Sequence, residues 1–164
     1  MKSCMGYILE VDLTTREIKK TKVPDEVYYN LLSGMGLAAW YCLKEIPEGA
    51  DPLGPDNVLG IVSGAMTGSG ALFSGRWMAI GKSPLTGGWG DANCGGMFGP
   101  AIKQSGVDGI FFKGVSETPV YLYMDNKVCE LRDATPYWGM DATEAELLLK
   151  KDNTNKKVPE VALI

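Results

Sequence analysis

The sequence predicts an α+β fold with mixed, mainly antiparallel β-sheets and packed helices. Three observations carry that prediction. Short apolar stretches alternate with polar residues at the two-residue period of half-buried strands. Between them stand segments that open on Pro, Asp or Glu and close on Gly, as helices do. Glycine, 21 of 164 residues, crowds between Gly60 and Gly114 among Trp, Phe, Met and Ile. That mixture suits backbone packed close to something, not a flexible tether.

The elements follow in order. GYILEVDLTTREIKKTKV reads as a β-hairpin, with Tyr7, Leu9, Val11 and Leu13 on one face and a polar corner at Asp12 to Thr15. Pro24, Asp25 and Glu26 open a helix over Asp25–Leu32, since proline fits the first turn and acids suit the helix dipole there. Ser33 and Gly34 break it. A second helix, Leu37–Ile46, buries Leu37, Trp40, Tyr41 and Leu43 and stops at Pro47. DPLGPD at 51–56 is a turn. Val58–Val62 is a short buried strand, Gly64–Gly70 a loop, Arg76–Ile80 a strand and Gly87–Gly96 a loop. Met97–Gln104 is a helix ended by Gly106. Val107–Lys113 is a strand. Val120–Met124 and Val128–Arg132 pair across residues 125–127. Asp141 and Glu144 resemble a capping box that starts a helix over Thr143–Lys151. KDNTNKK is an exposed turn. Val161–Ile164 begins an apolar strand, so the chain is expected to be an N-terminal piece, residues 1–164, truncated at its C-terminal end.

Composition narrows the function. The net charge of −4 argues against non-specific nucleic-acid binding, because phosphate backbones favour basic faces. No segment reaches the roughly 18 uninterrupted apolar residues of a membrane span. The first residues turn polar too soon for a signal peptide. Cys4, Cys42, Cys94 and Cys129 form no CxxC pair, which argues against a self-contained zinc or iron–sulfur site and for a reduced, cytoplasmic setting. Histidine is absent, removing the commonest general base.

Three local motifs invite a function. Gly81-Lys82-Ser83 suggests a phosphate loop, but five residues separate Gly75 from Gly81 where the pattern needs four. Pro84 also biases Ser83 away from the helix that must start there. Gly34-Met35-Gly36 matches a short dinucleotide fingerprint, yet the residues before it read as helix, not strand. Cys94 precedes a helix, but without a histidine partner it reads as a small buried or semi-buried residue. The glycine loops at 64–70 and 87–96 flank the strand carrying Arg76, one of three arginines. Bare backbone and one planar guanidinium suit an anionic ligand, as they also suit tight corners beside a surface arginine.

Five segments together resemble the N-terminal domain of the aldehyde:ferredoxin oxidoreductases, tungsten or molybdenum enzymes with a bis-pterin cofactor. They are GYILEVDLTTREI, LLSGMGLAAWYCLKEIPEGADPLGPDNVL, SGAMTGSGALFSGRW, GKSPLTGGWGDANCGGMFGPAIKQSGVDGIFFKG and PVYLYMDNKVCELRDATPYWGMDATEAE. They occur in family order from near Gly6 to Glu146. The resemblance implies two β-sheets forming a base on which the pterin lies. It implies that Arg76 holds cofactor through its guanidinium. Asn93 would offer its backbone carbonyl to a magnesium ion that bridges the pterin phosphates, and Gly95 would bring bare backbone against the cofactor. It further implies an aldehyde-oxidising parent that passes electrons to ferredoxin. The 4Fe-4S ligands and the catalytic acid would lie in C-terminal domains outside this chain. No catalytic residue is expected within it, and the isolated chain is expected to hold no cofactor, to be inactive and to self-associate. Relatives reducing carboxyl or aromatic thioester substrates, and a non-catalytic scaffold, are the rival readings. Ala65, Phe73, Trp89 and Pro100 depart from, or crowd, the family's loop pattern.

Overall fold

Residues 3–125, 128–154 and 159–163 are described in the computed structural model. They form two compact units, Met1–Val115 and Ser116–Ile164.

In the first unit, β1 (Tyr7–Asp12) and β2 (Ile18–Lys22) form the expected antiparallel hairpin. Asp12 shapes its corner by accepting the amides of Thr14 at 3.0 Å and Thr15 at 2.9 Å. The Thr15 amide bond is the main cause that holds the Asp12 carboxyl below the usual carboxylate range. The expected one-sided alternation fails. Tyr7 is exposed while Ile8, Leu9 and Val11 are all buried, because β1 is an interior strand with β6 (Gly109–Lys113) parallel on its other side.

The helices α1 (Asp25–Leu31) and α2 (Met35–Glu45) follow. Gly36 explains their junction: a Cβ there would lie 1.8 Å from the Leu31 carbonyl oxygen. The glycine pair thus serves a tight helix–helix turn, with Gly34 at φ +62°, and no strand leads into it. α2 buries Leu37, Ala38, Tyr41 and Cys42, with Trp40 only partly covered. Leu43, expected inside, is 86% exposed. At about 100° per residue it falls on the side opposite that stripe.

The sheet then runs β2-β1-β6-β3-β4-β5, with β3 (Leu59–Ser63), β4 (Trp77–Lys82) and β5 (Trp89–Cys94). Among the described strands only β1 and β6 pair in parallel, so the sheet is mixed and mainly antiparallel as predicted. The expected loop at Gly87–Gly96 is a correction: most of it is β5. Pairing with β4 overrides the weak strand propensity of Gly, Asp and Asn. The short helix α3 (Phe98–Gln104) ends before Gly106 at φ +79°, where a left-handed residue is needed.

The main core gathers α1, α2 and one sheet face around Tyr28, Leu37, Tyr41, Val62, Ile80 and Phe111. Tyr41 stacks on Phe111 with ring centroids 3.9 Å apart. A buried polar network centred on Asp108 lies beside it. Asp108 accepts the amides of Met5 at 3.1 Å and Gly6 at 2.9 Å, the Tyr28 hydroxyl at 2.7 Å, and the Lys103 ammonium. Lys103 also donates to the Ser3 carbonyl at 3.3 Å. One carboxylate therefore fastens the N-terminal segment, α1 and α3 to the start of β6.

Burial, and then Asp108, push the Tyr28 phenol upward; burial, and then Glu10, push that of Tyr41 upward. Above about pH 10 the unfolded chain loses these protons while the native one keeps them. Stability should therefore fall as pH rises past about 10. Denaturant midpoints at a series of alkaline pH values check this, and Tyr28→Phe should flatten the fall. A midpoint independent of pH in that window would contradict it.

The second unit is built on the predicted hairpin, β7 (Val120–Met124) with β8 (Cys129–Asp133), and on α4 (Ala142–Asn153). Asp141 caps α4 by accepting the Thr143 amide at 2.9 Å. Asn153, at its far end, accepts from Tyr121 at 3.2 Å and Arg132 at 2.8 Å, tying helix to hairpin. The hairpin turn at 125–127 and the turn KDNTNKK fall partly outside the described residues. Val161–Leu163 carry no strand, contrary to expectation, since an apolar run becomes strand only where an edge pairs with it; Ile164 lies outside the described residues.

Candidate functional site

The two glycine-rich segments converge where β3 ends and β4 begins. After Ser63 the chain turns tightly, with the Thr67 amide donating to the Gly64 carbonyl at 3.1 Å. It loops out through Phe73 and returns at Gly75 and Arg76. Thr67 closes the neck of this loop: its hydroxyl donates to the Arg76 carbonyl at 2.8 Å. Ser33, just before α2, donates to the Ser63 carbonyl at 2.9 Å and brings Gly34 and Met35 alongside. The result is a cleft of about 340 Å³, walled by Gly34, Gly64, Phe73, Arg76, Met78 and Asn93 among others.

Arg76, expected on a strand, sits one residue before β4. It is exposed, and among the described residues no carboxylate pairs with its guanidinium. Its fork of donors is free to meet an anion in the cleft.

Asn93 lies on β5, the end strand of the sheet. The hairpin turn decides which way its backbone faces. The Gly87 amide donates to the Ser83 carbonyl and the Ser83 amide to the Gly88 carbonyl, both at 2.8 Å, with Gly87 at φ +69°. This is a β-bulge with glycine in the left-handed position. Hydrogen-bonded and non-hydrogen-bonded pairs alternate from there along the register Lys82↔Trp89 to Met78↔Asn93. Asn93 falls in a non-hydrogen-bonded pair, so its carbonyl and amide turn away from β4 to the open edge. A carbonyl so placed is a hard oxygen ligand available to a cation such as Mg²⁺.

Gly95 is beyond the end of β5. Its carbonyl accepts the Trp77 indole N–H at 3.0 Å, and a Cβ added to it would meet nothing within 4 Å. Its Cα side is therefore open while its carbonyl is engaged by Trp77, a residue that lines the cleft. Arg76 and Asn93 both line the open cleft; Gly95 does not line it but touches Trp77, which does.

Phe73 is fully exposed at the rim with φ +61°, a costly conformation for a bulky residue. Lys82 is in β4 with its ammonium on the Ala50 carbonyl, so Gly81-Lys82-Ser83 is strand and turn, not a phosphate loop. Among the described residues no disulfide joins the four cysteines. Burial pushes the Cys42 thiol up to about 11. Cys94, read as buried or semi-buried, is exposed because residues 91–96 lie on an uncovered edge. Among the described residues no group of three or more Cys, Asp or Glu side chains is assembled that could hold a metal, and no helix is long and apolar enough to cross a membrane. Sequence reasoning missed Thr67. Its signal was a lone hydroxyl residue framed by glycines, Gly64-Ala65-Met66-Thr67-Gly68.

This fold, with its platform of glycine loops, is that of an oxidoreductase domain family: a family model described as aldehyde ferredoxin oxidoreductase, N-terminal domain, matches residues 8–164. The chain belongs to that family. It is 41% identical over 153 residues to a tungsten-containing aldehyde ferredoxin oxidoreductase of Thermococcus kodakarensis, covering 93% of this chain and 25% of the relative. It is 35% identical over 151 residues to an aliphatic sulfonate oxidoreductase, WOR-like subunit, of Pyrococcus furiosus, covering 90% of this chain and 24% of that one. A solved structure of the active site complex BamBC of benzoyl coenzyme A reductase, in complex with 1,5-dienoyl-CoA, superposes with a TM-score of 0.89 at 33% identity, over 92% of this chain and 23% of that one. The chain thus spans about a quarter of the length of the relatives it matches.

Proposed function

We propose that residues 1–164 form the N-terminal cofactor-base domain of a longer tungsten (or molybdenum) bis-pterin oxidoreductase. The observation that carries this reading is that Arg76 and Asn93 line one cleft, with the Asn93 carbonyl left unspent at the adjoining open sheet edge. The residues suit the group. Arg76 would bind an anionic part of the pterin, Asn93 would give its carbonyl oxygen to a magnesium ion, and Gly95 would let the cofactor approach bare backbone. A cleft of about 340 Å³ is near the lower end of small-ligand sites, about 300–1,000 Å³, so it would cover the cofactor on one side only. Further domains would supply the other side and the 4Fe-4S ligands. When bound, the tungsten supplies two-electron redox chemistry; this chain's part is to hold and orient it.

For the parent we propose aldehyde oxidation to a carboxylate, with electrons passed to ferredoxin in the cytoplasm. The four relatives named as tungsten-containing aldehyde ferredoxin oxidoreductases, 39–41% identical, favour it. A second reading, reduction of an aromatic thioester, is favoured by the likeness to the benzoyl-CoA reductase complex. The exposed Leu72, Phe73, Leu85 and Trp138 fit surfaces covered by the parent's other domains, or by self-association of the isolated chain.

Gly95→Ala tests the platform. The new methyl enters open space, so stability should change by no more than about 0.5 kcal/mol. Tungsten and pterin per folded longer chain should drop severalfold. Full loading in Gly95→Ala would remove Gly95 from the site, and a parent purified from tungstate-grown cells with neither tungsten nor pterin would overturn the function.

A further inference from the structure

We propose that Thr67 is the positioning residue of this cleft, acting through the Arg76 backbone; the proposal rests on the cofactor reading above. Four observations converge on it. Thr67 is buried, rare for a polar residue inside a glycine loop. Its hydroxyl proton goes to the Arg76 carbonyl at 2.8 Å, and its own amide to Gly64 at 3.1 Å, so it joins both ends of the loop. Its methyl faces α3, where a Cβ on Gly99 would lie 3.0 Å from Thr67 Cγ2 and 3.2 Å from the Gly75 carbonyl. Finally, nothing else described anchors Arg76: its side chain has no ion pair, and it lies one residue outside the β4 ladder.

The physical consequence is a division of the loop. Residues beyond the clamp, with exposed Leu72 and Phe73, can rearrange against a ligand or a covering domain. Arg76 stays put, because its main chain is tied by a part-buried hydrogen bond from a buried threonine. A guanidinium that starts from a fixed backbone loses less freedom on meeting an anion, which is preorganisation.

Thr67→Ser and Thr67→Ala differ by one oxygen and test the clamp. In protein purified without tungstate, amide exchange over residues 64–76 should rise about fivefold in Thr67→Ala and hardly in Thr67→Ser, the loss of one hydrogen bond. In the loaded longer protein, tungsten occupancy at limiting tungstate should fall about fivefold in Thr67→Ala and recover in Thr67→Ser. Adding Thr67→Ala to Arg76→Ala should lower occupancy no further than Arg76→Ala alone, since both act through one group. Equal effects of Ser and Ala would show that the methyl's packing matters and overturn the proposal. So would unchanged exchange in Thr67→Ala, or additive losses in the double variant. Full occupancy in Arg76→Ala would instead refute the cofactor reading of Arg76, and with it the cofactor half of this proposal, while the exchange arm judges the clamp by itself.

Discussion

Asp108→Ala is expected to destabilise the chain by about 3–5 kcal/mol, the cost of stranding a buried charge. The native carboxylate is fully buried and has four donors: two main-chain amides, a phenol and an ammonium. Its removal leaves Lys103 buried without its counter-charge and the Met5 and Gly6 amides without acceptors. Against a total stability of about 5–15 kcal/mol that is a large share. Lys103→Met should cost less, because Asp108 keeps three donors and the methionine fills similar space. Urea titrations of the three proteins, followed by tryptophan fluorescence, give the ranking. A loss below about 1 kcal/mol for Asp108→Ala would mean that the network is ornamental and that hydrophobic packing alone holds the N-terminal segment.

Arg76→Ala should have the largest effect on loading and little on folding. The side chain is exposed and unpaired among the described residues, and its neighbours Met78 and Ile80 keep the β4 core contacts. A charge-assisted hydrogen bond is worth roughly 1.5–3 kcal/mol, so its loss should weaken cofactor binding by about one to two orders of magnitude. Arg76→Lys should rescue in part, since it keeps the charge and loses the planar fork. Tungsten per folded longer chain, read beside a thermal melt, separates the two effects. Full occupancy, or collapse of the fold with no selective loss of tungsten, would make Arg76 a structural residue.

The legible parts of the fold were those where local pattern and tertiary role agree. The β1–β2 and β7–β8 hairpins, α3 with Gly106 and α4 with Asp141 each carry their own turn or cap. β5 was hidden because Gly90, Asp91, Ala92 and Asn93 have no strand preference of their own; the tight turn and β4 hold them in place. Leu43 misled because an apolar residue on a helix is not obliged to face inward. Asp108 was present in the sequence only as part of Gly106-Val107-Asp108-Gly109. Its amide donors lie more than 100 residues earlier, beyond any local pattern. Of the site, glycine density and a lone arginine pointed to Arg76, with Asn93 beside it as an amide, while the carbonyl role of Asn93 and the whole of Gly95 came from family resemblance. Thr67 escaped both, because its role depends on a hydroxyl meeting a carbonyl across a loop.

The bulge at Gly87 and Gly88 imposes a parity rule on everything downstream of it. A strand alternates its backbone direction with each residue, so Asn93 faces outward only because it stands an odd number of steps from Gly88. Inserting or deleting one residue between them would present the same asparagine with its carbonyl turned into the sheet, spent on β4 and lost to any cation. Changing the length by two would restore it. Length variation in this stretch is therefore quantised in pairs, whatever residues fill it, and a homologue that breaks the even step must either move the bulge or turn that carbonyl into the sheet.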